Sequence, residues 1–152
     1  MLRKLFFSLL LVMVIGYAVL LITPIDPDER RPGTRLTGTL ATAPVDDFSF
    51  HPSRELIWVQ ASTWYGIPHS ITTTSFVVDG TLYVPCGRCS SKTWPQHVAG
   101  NPDVLVKIKD TLYPLRAERV TDKATLENVF RHHRLTMDDV WLFRMTRRSE
   151  PL

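Results

Sequence analysis

The stretch FVVDGTLYVP, residues 76–85, constrains the fold of this chain more than any other. Asp79-Gly80 stands between two apolar, β-branched runs. A type I′ turn needs positive φ at both central residues, a conformation that Asp tolerates and Gly adopts freely. The pattern predicts an antiparallel hairpin, with HSITTTSFVV (69–78) as its first strand and TLYVPC (81–86) as its second. VLVKI (104–108), the turn Lys109-Asp110 and TLYPLRAERV (111–120) repeat the arrangement. Pro114 has no amide hydrogen to give to a ladder, so its nitrogen must face an edge or a bulge.

Further strands are expected at RLTGTLA (35–41), ELIWVQA (55–61) and DVWLFRMTR (139–147), where Trp141, Phe143 and Met145 alternate with Val140, Leu142 and Arg144. DKATLENVFRHHR (122–134) places Leu126, Val129, Phe130 and His133 at helical spacing, with Thr121 or Asp122 as cap. His133 caps the apolar face, whereas Arg131, His132 and Arg134 read as solvated. The 11 prolines and the short apolar runs beyond residue 23 fit many turns and short strands. The chain therefore reads as mainly β: a small antiparallel barrel with one or two short helices, since closure removes edge strands. An open α+β sheet with the 122–134 helix across one face is the alternative.

Ahead of this domain, Leu5–Ile22 carries no charge, follows Arg3 and Lys4, and ends at Thr23-Pro24. As a helix rising roughly 1.5 Å per residue it reaches about 27 Å, close to the hydrocarbon thickness of a bilayer. Residues 1–23 are read as a single-pass membrane anchor meeting lipid through 5–22. A cleaved signal peptide is the rival, but four apolar residues follow its best small-x-small pair, Gly16 and Ala18. Basic residues on the two sides nearly balance; the short basic N-tail places the domain outside the cytoplasm. PIDPDERRPGT (24–34) reads as an extended, charged linker and 35–152 as the domain. The net charge is +3. Arg3 and Lys4 supply two of those charges, and the remainder of about +1 is no footprint for nucleic acid.

LYVPCGRCSSKTWPQHV (82–98) concentrates the polar chemistry. Thr93 is placed to cap a short helix, and a helix start offers free amides and a partial positive charge to an anion. Arg88, Ser90, Ser91, Lys92 and Thr93 add donors of the kind phosphate accepts. A solvated polar loop between strands is the plainer reading of the same composition. Cys86 and Cys89 form half of a structural zinc site; His69 and His97 would have to complete it, and no second C-x-x-C occurs. The pair leaves a hairpin rather than opening a βαβ helix, which does not suit thioredoxin-like chemistry. Outside the cytoplasm a local disulfide bracing the loop is expected. Among the 5 histidines, His69 is the best catalytic candidate, since its strand parity matches Ile71, Thr73, Ser75 and Val77. Asp46 and Asp47 read as turn-formers.

From about residue 57 to 147 the order of features resembles the split β-barrel flavin- and deazaflavin-binding superfamily, in its nitroreductase and pyridoxamine-phosphate-oxidase-like branches. KTWPQHVAGNPDVLVKI (92–108) is similar to that group's short helix beginning at a Trp and its Asn-Pro-x-Val turn into the next strand. FVVDGTLYVP precedes it, and RAERVTD (116–122) and VWLFRMTRR (140–148) follow in the same order. The group's T-G-R-x-S-G element is missing, residues 60–70 reading QASTWYGIPHS, and His97 stands where relatives carry Asn. The resemblance implies FMN or a deazaflavin of the F420 type, its phosphate or acidic tail near Arg88, Ser90, Ser91, Lys92 and Thr93, and its ring near Trp94 and Trp64. It also implies an oxidoreductase in which the flavin performs the hydride chemistry, and a homodimer with the cofactor at the subunit interface. A cofactor-free envelope binding or scaffold module of the same fold is the alternative, and a thiol or metal protein a weaker third.

Overall fold

The structure, a computed structural model, describes residues 2–133 and 139–148. Both hairpins form. Strands β4 (Phe76–Val78) and β5 (Thr81–Gly87) meet at Asp79 and Gly80, whose φ values of 50° and 74° are the two positive angles a type I′ turn requires. Strands β6 (Asp103–Ile108) and β7 (Thr111–Arg119) turn at Lys109, φ 55°. With β2 (Leu56–Ala61), β3 (His69–Thr74) and β8 (Val140–Arg147) they build a sheet ordered β3-β2-β6-β7-β8-β5-β4, antiparallel at every step.

The two ends of that order are neighbours in the chain. His69–Val78 is not one straight strand, as expected, but two joined at Ser75: β3 pairs with β2, and β4 with β5. A buried polar node makes the bend. His51 Nε2 lies 2.7 Å from Ser75 Oγ, the Ser75 amide donates to Glu55 O, and the Arg54 amide donates to Ser75 O. The first and last strands are thus one bent strand, which closes the barrel covalently where no ladder does.

Inside pack Ile57, Val59, Leu82, Val84, Val104, Val106, Leu115, Phe143 and Met145, with Trp94 and Val98 from helix α2 (Trp94–Gly100). Val140 and Leu142 face the other way. They form a second cluster with Phe76, Val78 and Tyr83 beneath helix α3 (Lys123–His133), which contributes Leu126, Val129 and Phe130. The Asp122 carboxylate caps α3 by accepting from the Thr125 amide at 2.8 Å. Arg134 lies outside the described residues.

The strand expected over 35–41 shrinks to β1 (Thr39–Leu40), which pairs in parallel with Thr111 and Leu112 of β7. Side chains take the other amides: Leu36 N donates to Gln60 Oε1 and Thr37 N to Asp26 Oδ1, while Gly38 turns the backbone at φ 147°. Pro114 falls where it costs nothing. The Asp110 and Leu112 carbonyls accept from the Thr39 and Ala41 amides, pairing with β8 begins at Leu115, and the Pro114 nitrogen faces the gap between them.

Helix α1 (Leu2–Ile22) projects from the barrel, touching it only near its C-terminal end through Tyr17 and Leu21, and most of its apolar side chains from Leu5 to Ile22 are exposed. It is long and apolar enough to cross a membrane. Residues 24–35 do not continue away from the domain. They fold over the outside of β2, β3 and β6 as a strap: Gly33 bridges Ser70, the Pro27 carbonyl accepts from Trp58 Nε1 and Thr72 Oγ1, and Asp26 meets buried Lys107 at 2.8 Å.

Candidate functional site

β5 leaves the barrel at Pro85-Cys86-Gly87, and the next seven residues turn back across its mouth. Arg88 adopts the left-handed conformation (φ 49°, ψ 44°), a 3-10 turn spans Cys89–Ser91, Lys92 is extended, and α2 begins at Trp94. Cys86 and Cys89 are joined in a disulfide with Cα atoms 5.2 Å apart, and both are buried. The sulfurs that the zinc and thiol readings need are therefore bonded to each other, as the bracing role expects.

The loop is more self-satisfied than its composition suggests. Ser90 Oγ donates to Asp139 Oδ2 at 3.0 Å and Ser91 Oγ to the Arg88 carbonyl at 2.8 Å. Thr93 occupies the cap position of α2 but makes no side-chain cap bond. Its carbonyl takes the Gln96 and His97 amides, and Pro95 has none, so the helix start offers little to an anion. What the loop presents is side chains.

Those side chains form one wall of a cleft of about 390 Å³. Ser91, Lys92, Thr93 and Trp94 stand on that wall, with Pro85 and Cys86 at its base. β3 supplies the second wall through His69, Ile71, Thr72 and Thr73; the expected shared face of His69, Ile71, Thr73, Ser75 and Val77 stops at the bend, and Ser75 and Val77 do not reach the cleft. The third wall is the strap, residues 28–32. There the Asp28 carboxylate accepts the Arg30 and Arg31 amides at 2.7 and 2.6 Å; these bonds hold its pKa below the usual carboxylate range and shape a tight turn carrying both arginines. The cleft thus gathers Arg30, Arg31 and Lys92, against Asp28, already engaged in its own turn, and Glu29.

Of the residues expected to bind a cofactor, Ser91, Lys92, Thr93 and Trp94 line this cleft, whereas Ser90 is turned to Asp139 and Arg88 sits on the exposed corner outside it. Trp94 is buried at 4% exposure with its ring 4.8 Å from Phe143, so it is a core residue that shows the cleft an edge. Trp64, 91% exposed, stands apart beside Gln96 and His97. Arg30 and Arg31 were not among the sequence candidates. A second groove, about 670 Å³, shares Thr73, Pro85 and Lys92 with the first and extends to Arg54, Phe76 and His133, making Lys92 the ridge between the two.

Burial sets the histidine chemistry. Desolvation, then the nearby His97 ring 5.3 Å away, pushes the His69 pKa down; His51 and His133 are also lowered, chiefly by desolvation. Each is held neutral in the folded chain at pH 7 and can donate or accept one hydrogen bond. Because the unfolded chain then binds more protons, stability falls as pH drops below the ordinary value of 6.5, and levels off only beneath the folded values. Urea midpoints at pH 7.5 and pH 5.5 check this. The midpoint should be lower at pH 5.5, and the difference should narrow in His69→Gln.

No protein-family model and no curated protein matches the chain. Solved structures do. The heme storage protein HutZ from Vibrio cholerae superposes with a TM-score of 0.50 at 14% identity, over 64% of this chain and 84% of that one. A putative pyridoxamine 5'-phosphate oxidase from Listeria innocua gives 0.48 at 20% identity, over 62% and 84%. A FAD-binding protein from Mesorhizobium loti gives 0.47 at 14%, over 64% and 84%. At these identities the likeness is one of fold, and that fold is the split barrel.

Proposed function

We propose that this domain binds a flavin-type cofactor, FMN or a deazaflavin, in the cleft between the strap, β3 and the Ser91–Trp94 wall, and serves as an oxidoreductase held to a membrane by α1. The observation that carries the reading is the convergence of Arg30, Arg31 and Lys92 on a 390 Å³ cleft with an apolar floor, at the mouth of a split barrel. That volume lies within the roughly 300–1,000 Å³ typical of small-molecule sites.

The donor set suits a planar ring with an acidic tail. Lys92 and the two arginines would hold the tail's charge, with Thr93 and Ser91 as lesser partners. Ile71 and Pro85 would give apolar contact to a ring, and Thr73 and neutral His69, which line the same cleft, would bond to its edge. The flavin, when bound, would supply the hydride chemistry, and these residues would bind and orient it. The disulfide suits an extracytoplasmic, oxidising compartment.

The absorbance spectrum of the detergent-purified full chain tests the proposal, before and after incubation with FMN or a deazaflavin followed by gel filtration. Bound chromophore is expected. Lys92→Glu should weaken binding at least tenfold, about 1.4 kcal/mol, with the melting curve unchanged because Lys92 is exposed. A wild-type protein that stays colourless after both incubations overturns the reading in favour of the cofactor-free module. The elution volume of the same sample reports whether the chain is a homodimer.

A further inference from the structure

We propose that the turn Trp64-Tyr65-Gly66 is a membrane-docking element that seats the barrel on the headgroup layer of the bilayer crossed by α1; the inference rests on α1 spanning that bilayer. Trp64 is 91% exposed, the highest among the large apolar side chains of the described residues. It is not loosely held. The Thr63 hydroxyl donates to the Ile67 carbonyl at 2.7 Å, the Gly66 amide donates to the Thr63 carbonyl, and Gly66 turns the chain at φ 81°. Tyr65 packs edge-on between Trp64, at 5.3 Å, and His97, at 6.2 Å. A tight turn thus projects an indole with nothing over it among the described residues.

The position of the turn identifies what covers it. The Tyr17 hydroxyl of α1 donates to the Tyr65 carbonyl, and a Cβ placed at Gly66 would lie 3.4 Å from Tyr17 Oη and 3.6 Å from Leu21 Cδ2. Tyr17 is five residues before the helix end, about 7.5 Å along the axis at 1.5 Å per residue. The headgroup layer on each side of the hydrocarbon is about 5–7 Å thick. A turn in contact with Tyr17 and Leu21 therefore cannot clear the membrane if α1 crosses it: it lies at the boundary of headgroups and acyl chains with Ile22 at the outer edge of the headgroups, and about 7.5 Å deeper at most with Leu5–Ile22 filling the hydrocarbon. Trp and Tyr favour that depth, where the ring is sheltered and the polar edge stays wet. Arg35, within 3.5 Å of the Leu21 carbonyl, stands at the same level and complements lipid phosphate.

The experiment uses the full chain in phosphatidylcholine nanodiscs, with and without bromine on the upper acyl carbons. Subtracting the emission of Trp64→Phe from that of the wild type isolates Trp64 from the other tryptophans, and its exposure makes the substitution harmless to the core. The difference emission should be blue-shifted, lose at least half its intensity in brominated discs, and resist aqueous iodide. An iodide-quenched, bromine-insensitive signal overturns the proposal. Phe7→Trp in the Trp64→Phe background, about 3 Å inside the other end of the span and level with the brominated carbons, then locates the error. Bromine quenching at residue 7 leaves only the docking refuted; no quenching at either position refutes the span as well.

Discussion

Trp94→Ala is expected to lower the stability of the domain by about 3–5 kcal/mol, the range for removing a large buried aromatic side chain. In a domain of this size that corresponds to a fall in Tm of about 10–20 °C. Trp94 is 4% exposed and packs on Phe143 in a cluster with Val98 and both half-cystines. Helix α2 has seven residues, too few to persist alone, and is held through Trp94, Pro95 and Val98. Emptying the Trp94 site leaves a cavity under the loop that carries Lys92, so the cleft wall should loosen with the core. Urea unfolding of wild type, Trp94→Ala and Trp94→Phe measures this; the phenylalanine variant, which keeps a ring on Phe143, should recover more than half of the loss. A cost below about 1 kcal/mol for the alanine variant would mean that the ring is a surface platform, as its role in a flavin slot would have it, and not part of the core.

The two hairpins, α3 and the gap at Pro114 are legible in the sequence because local chemistry decides them: a two-residue turn needing positive φ, a 3.6-residue apolar period, a missing amide. The bend at Ser75 is not. HSITTTSFVV keeps a strand-like composition throughout, and what breaks it is His51, 24 residues earlier, bonding to the Ser75 hydroxyl. RLTGTLA alternates like a strand, yet its first amides go to Gln60 and Asp26, which local pattern cannot reveal.

The candidate site divides the same way. Ser91–Trp94 are contiguous, so their grouping is visible in the sequence; Arg88 belongs to the same run, but its left-handed backbone aims it elsewhere. Arg30 and Arg31 read as linker because proline and charge surround them. Their place beside Lys92 depends on contacts across the chain, Asp26 to Lys107 and Gly33 to Ser70, separated by 81 and 37 residues. The one local sign was Gly33 itself, a residue with no side chain in an otherwise bulky, charged segment.

Gly33→Val tests whether that strap completes the cleft. Gly33 donates to the Ser70 carbonyl at 2.8 Å and accepts from the Ser70 amide at 3.0 Å. A Cβ at residue 33 would meet the Ile25 carbonyl oxygen at 2.1 Å, Pro27 N at 2.6 Å and Ser70 Oγ at 2.7 Å, so backbone must move. The expected outcome is release of the strap, at about 2–3 kcal/mol for two lost hydrogen bonds and the amide left unpaired on β3. The barrel ladders do not pass through Gly33 and should survive. Release has two signatures: faster trypsin cleavage after Arg30 (the Arg31-Pro32 bond resists trypsin), and a weaker grip on any anionic ligand of the cleft although Lys92 is untouched. Lys107 makes the release costlier, since Asp26 is its partner and a buried cation left without one is unfavourable. Asp26 also sets the acid limit of the strap. Desolvation raises its pKa, but the bonds from Lys107 and Thr37 outweigh that and leave it lowered, so the contact holds above the usual carboxylate range and fails as pH falls through the lower folded value. Gly33→Val at neutral pH should therefore resemble the wild type in strong acid as far as the strap is concerned. Equal proteolysis rates in variant and wild type would show that residues 24–35 do not hold the third wall of the cleft.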